Sequence, residues 1–284
     1  MREIVAVIFD WAGTLVDFGS RAPMGAFVET FAEFGVEITI EEARGPMGMA
    51  KRPHIAALCA NPRIAAAWAA VHGRPPGRME IDALYDRFVP KNIAVAAAHA
   101  DAIPGATETL AALRARGIKI GSSTGYTREI MAEILPLAKA QGIAPDSVVC
   151  TGDTPDGRPS PLMFWRGLVE LNAWPAWRAV KVDDTEVGVA EGVNAGAWSV
   201  GVAVSGNVFG ASREELAAMS AGEFVRRREA AYARLEAAGA HWVVDSVADL
   251  GVALSAIEGR IAGGERPQDE RAGARMQGGA RGRA

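Results

Sequence analysis

Four stretches place reactive side chains at the ends of apolar runs or in the loops beyond them. These are Asp10 after Val7-Ile8-Phe9, Thr124 after Ile120-Gly121-Ser122-Ser123, Arg158 within Asp156-Gly157-Arg158-Pro159, and Asp183-Asp184 after Val180-Lys181-Val182. A carboxylate can accept a phosphoryl group if a basic residue and a hard cation spread the charge of both anions. Mg²⁺ suits that task because it takes a few carboxylate oxygens and keeps its other positions for water and phosphate oxygens. Singly, each residue has an ordinary reading: Asp10 and Asp183-Asp184 as turn formers, Thr124 as a helix cap, Arg158 as an exposed loop residue. Their common position at strand ends favours one shared site.

The elements that must hold them follow from pattern. Ile4 to Phe9 is too short and too β-branched for a helix and reads as a buried strand. From Pro104 onward strands alternate with helices: a helix to Arg116, strand 118–124, a helix through Ile134, strand 147–151, a helix over 162–171, strand 179–183, a short helix and strand 198–202. That rhythm predicts an α/β fold, a doubly wound parallel sheet with crossover helices on both faces. In such sheets ligands bind at the carboxyl ends of the strands, where all four stretches fall. A long charged helix over 212–238 and a late strand at His241–Val244 complete the core. Between residues 21 and 99 only helical signals occur: Pro23 to Phe34, an alanine-rich run from Ile55 to Ala70, and Met79 to Ala98 interrupted at Pro90. We therefore expect a core of 1–20 and 100–262, a helical insert of 21–99, and a disordered Gly/Arg-rich tail of 263–284.

The 284 residues carry a net charge of -4, so there is no general basic field for nucleic acid or an anionic membrane, and an anionic substrate must be held by local groups. Two cysteines, Cys59 and Cys150, give neither a disulfide framework nor zinc spacing. No signal-peptide pattern or long apolar run is present, which points to a cytoplasmic protein.

The order Asp10-x-x-Gly13-Thr14, Thr124, Arg158, Asp183-Asp184 resembles the haloacid dehalogenase superfamily, a Rossmann-like fold with an inserted cap. The resemblance implies Asp10 as nucleophile, Thr124 and Arg158 as ligands of the transferred group with Arg158 making a two-pronged contact, and Asp10, Asp184, the Ala12 carbonyl and Asp183 around Mg²⁺, Asp183 directly or through water. Many members use a second aspartate two residues after the nucleophile to protonate an alkoxide; here that residue is Ala12. Losing such an acid forfeits about 10²- to 10⁴-fold in rate for an ordinary ester. Met47-Gly48-x-x-Lys51-x-x-His54, together with Asp10-Trp11-Ala12-Gly13-Thr14, Ser123-Thr124-Gly125-Tyr126-Thr127 and Asn194-Ala195-Gly196-Ala197-Trp198, narrows the resemblance to the phosphonoacetaldehyde hydrolase family. In that family the lysine, here Lys51, forms an imine with the aldehyde, so that cleavage of the carbon–phosphorus bond delivers electrons into an enamine and needs no acid at position 12. His54 is then a candidate proton shuttle, and Met47, Gly48 and Tyr126 are candidate substrate contacts. The competing readings are a haloacid dehalogenase, a phosphate-ester phosphatase or sugar phosphomutase, and a non-catalytic binder of a phosphorylated ligand. The family also implies a homodimer through the cap; Phe27 and Phe31 either form its surface or pack inside the cap.

Overall fold

The computed structural model describes residues 3–269. Six strands form one parallel sheet: β1 (Ala6–Phe9), β2 (Lys119–Thr124), β3 (Ser147–Cys150), β4 (Ala179–Asp183), β5 (Trp198–Val202) and β6 (Trp242–Val244). Their spatial order is β3-β2-β1-β4-β5-β6, so the chain starts at the centre, winds outward on one side and then returns to fill the other. Alternate residues of β1 serve opposite faces. Val7 and Phe9 pack with α6 (Ala106–Ala115), α7 (Arg128–Ala140) and α12 (Leu250–Ala262), whereas Ala6 and Ile8 pack with α8 (Leu162–Glu170). Helices α9 (Glu186–Asn194) and α11 (Ala221–Ala237) share a third apolar cluster beside β5.

Between β1 and β2 come α1 (Ala22–Glu33), α2 (Ile40–Arg44), α3 (Lys51–Ala60), α4 (Pro62–His72) and α5 (Arg78–Ala96), gathered round their own apolar cluster. Two adjacent linkers join this insert to the sheet: the Asp17 amide donates to the Asp101 carbonyl at 3.1 Å, and Ile103 to Leu15 at 2.9 Å. The Asp17 carboxylate accepts from the amides of Arg21 and Ala22, closing the free end of α1. Phe27 and Phe31 are fully buried within the insert's cluster, so they are not a dimer surface.

Local details depart from the sequence reading. The alanine-rich run is two helices, because the Asn61 side chain accepts from the Arg63 and Ile64 amides and starts α4 with Pro62 behind it. Helix α5 runs through Pro90, whose lost hydrogen bond is offset by burial of Leu84, Phe88 and Ala96 along the same helix. The charged helix is also two, α10 (Arg213–Ala218) and α11, since the Ser220 hydroxyl caps the second through the Glu223 amide. Of the expected tail, residues 270–284 lie outside the described residues. Its first residues fold back on the core, with the Pro267 carbonyl 3.1 Å from His241 Nε2 and the Arg266 guanidinium over the Trp177 ring. Among the described residues no helix is long and apolar enough to cross a membrane.

Candidate active site

Parallel pairing in register brings the reactive groups to one edge. Phe9 lies level with Ser122 on one side and Val182 on the other, so Asp10, Thr124 and Asp183-Asp184 leave the sheet together. The Asp10 amide still pairs with the Val182 carbonyl at 2.9 Å, which fixes the carboxylate over the strand ends. Arg158 enters from the loop after β3, its side chain 1 % exposed, with Nη2 2.8 Å from Asp10 Oδ1, Nη1 3.3 Å from Asp183 and Nε 3.2 Å from Glu191.

Because Nη2 is shared between Asp10 and the Ser123 carbonyl, the expected two-pronged grip of Arg158 on a phosphonate is not what this geometry offers. Its guanidinium instead neutralises the nucleophile candidate, and a phosphonate could take Nη1 only in competition with Asp183. Behind it stands a group that the sequence reading missed. Lys181 Nζ lies 2.7 Å from Ser123 Oγ, 3.0 Å from Glu191 and 3.1 Å from Asp183. A lysine between two valines on a fully buried parallel strand was the available signal, since such a charge must be compensated. Nothing local distinguished Glu191.

The insert closes the site from above. Lys51 is the first residue of α3 and only 3 % exposed; its Nζ sits 4.9 Å from the Tyr126 ring centre and 5.9 Å from that of Phe27. Burial lowers its pKa to about 8, with Arg158 acting in the same direction and Asp10 and Asp17 against it. Lys51 and Asp10 line one small cavity of about 20 Å³, with Ala12, Ser20, Met47, Gly48, Thr124, Gly125, Tyr126, Arg158 and Thr185 completing the wall. Gly48, at φ +88°, lies so close to the core that a Cβ there would come within 2.3 Å of Thr185 Oγ1. The insert is therefore seated on the sheet.

His54 does not line this cavity. Its ring stacks on Phe27 at 4.1 Å, Nε2 bonds the Ala43 carbonyl at 2.8 Å, and burial lowers its pKa to about 3. It is a neutral imidazole whose buried Nδ1 has no hydrogen-bond partner among the described residues.

The buried carboxylates offer a donor set suited to a hard cation. Three buried carboxylates, Asp10, Asp183 and Glu191, touch two buried cations, Arg158 and Lys181, and a fourth, Asp184, lies beside Asp10 and Asp183 with neither cation against it, leaving two negative charges in excess. The excess shows in the titration: Asp184 is raised well above the usual carboxylate range by burial and then by Asp10 and Asp183, and Asp10 is raised by burial. Oxygens of Asp10, Asp183 and Asp184 lie within 4.8 Å of one another. Asp183 is the most occupied of the three, its Oδ1 held by the Thr185 hydroxyl at 2.7 Å and amide at 3.0 Å, and Arg158 and Lys181 lower its pKa against burial. Asp184 is held at one oxygen by Thr14 Oγ1 and at the other by the Asn207 amide, 2.7 Å away. A divalent cation fits this set.

The haloacid dehalogenase-like hydrolase family matches residues 4–196. Curated phosphonoacetaldehyde hydrolases match almost the whole chain: that of Paraburkholderia phytofirmans is 64 % identical over 94 % of this chain and 100 % of the relative. The chain belongs to the phosphonoacetaldehyde hydrolase family. The Klebsiella pneumoniae family member is 50 % identical over 94 % of this chain and 100 % of its own. A crystal structure of a phosphonoacetaldehyde hydrolase-like protein from Oleispira antarctica superposes with a TM-score of 0.92 at 44 % identity, covering 93 % of this chain and 96 % of that one. Membership of the phosphonoacetaldehyde hydrolase family makes this chain a hydrolase with an α/β haloacid dehalogenase-type fold.

Proposed function

We propose that this hydrolase cleaves the carbon–phosphorus bond of phosphonoacetaldehyde, giving acetaldehyde and phosphate, with residues 21–99 acting as a cap. The observation that carries the proposal is a buried Lys51 amine of pKa about 8 sharing one cavity with Asp10, with no acid at position 12.

A lysine must be neutral to add to an aldehyde. With a pKa of about 8, roughly a tenth of Lys51 is neutral at pH 7, against about three parts in ten thousand at the usual 10.5. Lys51 Nζ adds to the aldehyde carbon, water leaves, and the protonated imine becomes an electron sink. His54, which lies outside the cavity, would take part in that condensation only through a water between its Nδ1 and Lys51. An Asp10 oxygen then attacks phosphorus, the carbon–phosphorus bond breaks, and its electron pair enters the enamine. Thr124 and one nitrogen of Arg158 steady the phosphonate, while Met47 and Tyr126 keep water from the imine. Protonation of the enamine carbon and hydrolysis of the imine release acetaldehyde; water attack on the Asp10 acyl phosphate releases phosphate. Asp10, Asp184 and the Ala12 carbonyl would hold Mg²⁺, with Asp183 outside them. When bound, the cation offsets the charge of carboxylate and phosphonate.

The test is incubation with phosphonoacetaldehyde and Mg²⁺, measuring both products, then borohydride. Equal yields of acetaldehyde and phosphate, and inactivation that labels Lys51, are expected. Turnover that persists in Lys51→Arg would remove the imine.

A further inference from the structure

We infer that Arg44, at the end of α2, is a positioning residue that ties seating of the insert to the orientation of Asp184. This rests on the proposed reaction for its catalytic consequence, but the link itself is a property of the chain. The Arg44 guanidinium crosses from the insert to the core and donates to four acceptors on three residues there: the Gly19 carbonyl at 2.8 Å, the Gly210 carbonyl at 3.1 Å, and Asn207 at its Oδ1, 3.2 Å, and its carbonyl, 3.4 Å. Asn207, 3 % exposed, donates its backbone amide to Asp184 Oδ2 at 2.7 Å. One residue therefore joins the cap's cation to the carboxylate that would hold the metal.

The loop is built to receive that side chain. Gly210 has φ +66°, and a Cβ there would come within 2.8 Å of Arg44 Cζ and 2.9 Å of Nε, so only glycine leaves room for the guanidinium. Gly206, in the same loop, passes so close that a Cβ would sit 2.4 Å from Asp184 Cβ. Ser205 Oγ donates to the Gly13 carbonyl at 3.1 Å and the Gly19 amide to the Ser205 carbonyl at 2.7 Å, binding the loop to the turn that follows Asp10. Gly19 also lies on the first linker to the insert, so the guanidinium holds linker, loop and insert together. The fork matters: Nη1 serves Gly19 and Asn207 while Nη2 serves Gly210, whereas a lysine would have to make all of these bonds from one nitrogen. When the insert lifts, Arg44 must leave, the loop loses its clamp, and the amide that fixes Asp184 loosens. Seating and metal-site order thus rise and fall together.

The experiment compares wild type, Arg44→Met, Arg44→Lys and Gly210→Ala with Arg74→Met, whose ion pair with Glu80 lies wholly within the insert. Mn²⁺ binding is titrated by electron paramagnetic resonance without substrate, and borohydride trapping is then measured with phosphonoacetaldehyde. Arg44→Met and Gly210→Ala are expected to weaken Mn²⁺ binding at least threefold and slow trapping at least tenfold. Arg44→Lys should fall between, and Arg74→Met should match wild type. Gly210→Ala keeps the arginine and evicts it, so it carries the test should Arg44→Met not fold. Mn²⁺ affinity within twofold of wild type in both variants overturns the link, even if turnover falls. If wild type binds Mn²⁺ but does not act on phosphonoacetaldehyde, the proposed reaction fails while the Mn²⁺ comparison still decides the link.

Discussion

Replacing Lys51 with methionine should make this protein more stable while abolishing imine formation. A lysine that ionises at about 8 in the fold and at 10.5 when exposed binds its proton less tightly in the folded state. At pH 7 it is mostly charged in both states, so folding bears the full cost of enclosing that charge, about 3 kcal/mol at 1.36 kcal/mol for each pH unit between the two values. The sign follows directly. Between pH 8 and 10.5 the unfolded chain holds more protons, so wild-type stability rises with pH across that window, and the cost is absent above it. Methionine keeps the length and the contacts with Phe27 and Tyr126 without the charge. Lys51→Met is therefore expected to raise the stability at pH 7 by about 3 kcal/mol, a rise in Tm of roughly 5–10 °C for a chain of this size. The advantage should fade towards pH 10.5. The assay is denaturation of both proteins at pH 7 and pH 10, with Mg²⁺ held constant and no substrate. An unchanged or lowered Tm at pH 7 would refute the claim that the fold holds this amine at a cost, and with it the physical basis for a reactive lysine.

Other outcomes follow from the same geometry. Asp10→Asn should lose turnover by at least about 10³-fold yet still yield a borohydride-trapped Lys51 adduct, because imine formation does not use the nucleophile; loss of trapping would show that the two steps are not separable. Gly188→Ala should lower both stability and Mg²⁺ affinity, since a Cβ there would lie 2.0 Å from the Asp183 carboxyl carbon and displace a group that balances Arg158 and Lys181; calorimetric titration with Mg²⁺ checks it. Saturating Mg²⁺ at about 100 times its dissociation constant should stabilise the folded enzyme by about 2.7 kcal/mol. Asp184→Asn should remove most of that gain, as read by Tm with and without chelator.

The sequence by itself determined the alternation of strands and helices, the placing of Asp10, Thr124, Arg158 and Asp183-Asp184 at strand ends, and the presence of Lys51 and His54 one helical turn apart. These are local facts: periodicity, a glycine or proline at an element's edge, and a reactive side chain at a run's end are all written within a few residues. Even locally some signals were passed over. Asn61-Pro62 and Ser220-x-x-Glu223 both mark helix starts, and each was absorbed into a longer run.

Tertiary structure alone decided what those side chains become. Arg158 is legible in the sequence as a ligand of the phosphonate, whereas the pairing of its Nη2 with Asp10, 148 positions away along the chain, and with Ser123 is seen only in the fold. Lys181 and Glu191 gained significance only once the sheet and α9 brought them against Asp183. His54 became a neutral imidazole because burial against Phe27 and then the nearby Lys51 charge lower its pKa, outweighing the Ala43 carbonyl, which raises it. The lowered pKa of Lys51 comes chiefly from burial, which exists only when the insert sits on the sheet. The type of a residue is local, whereas its charge state is set by how much water and which charges the folded chain leaves around it.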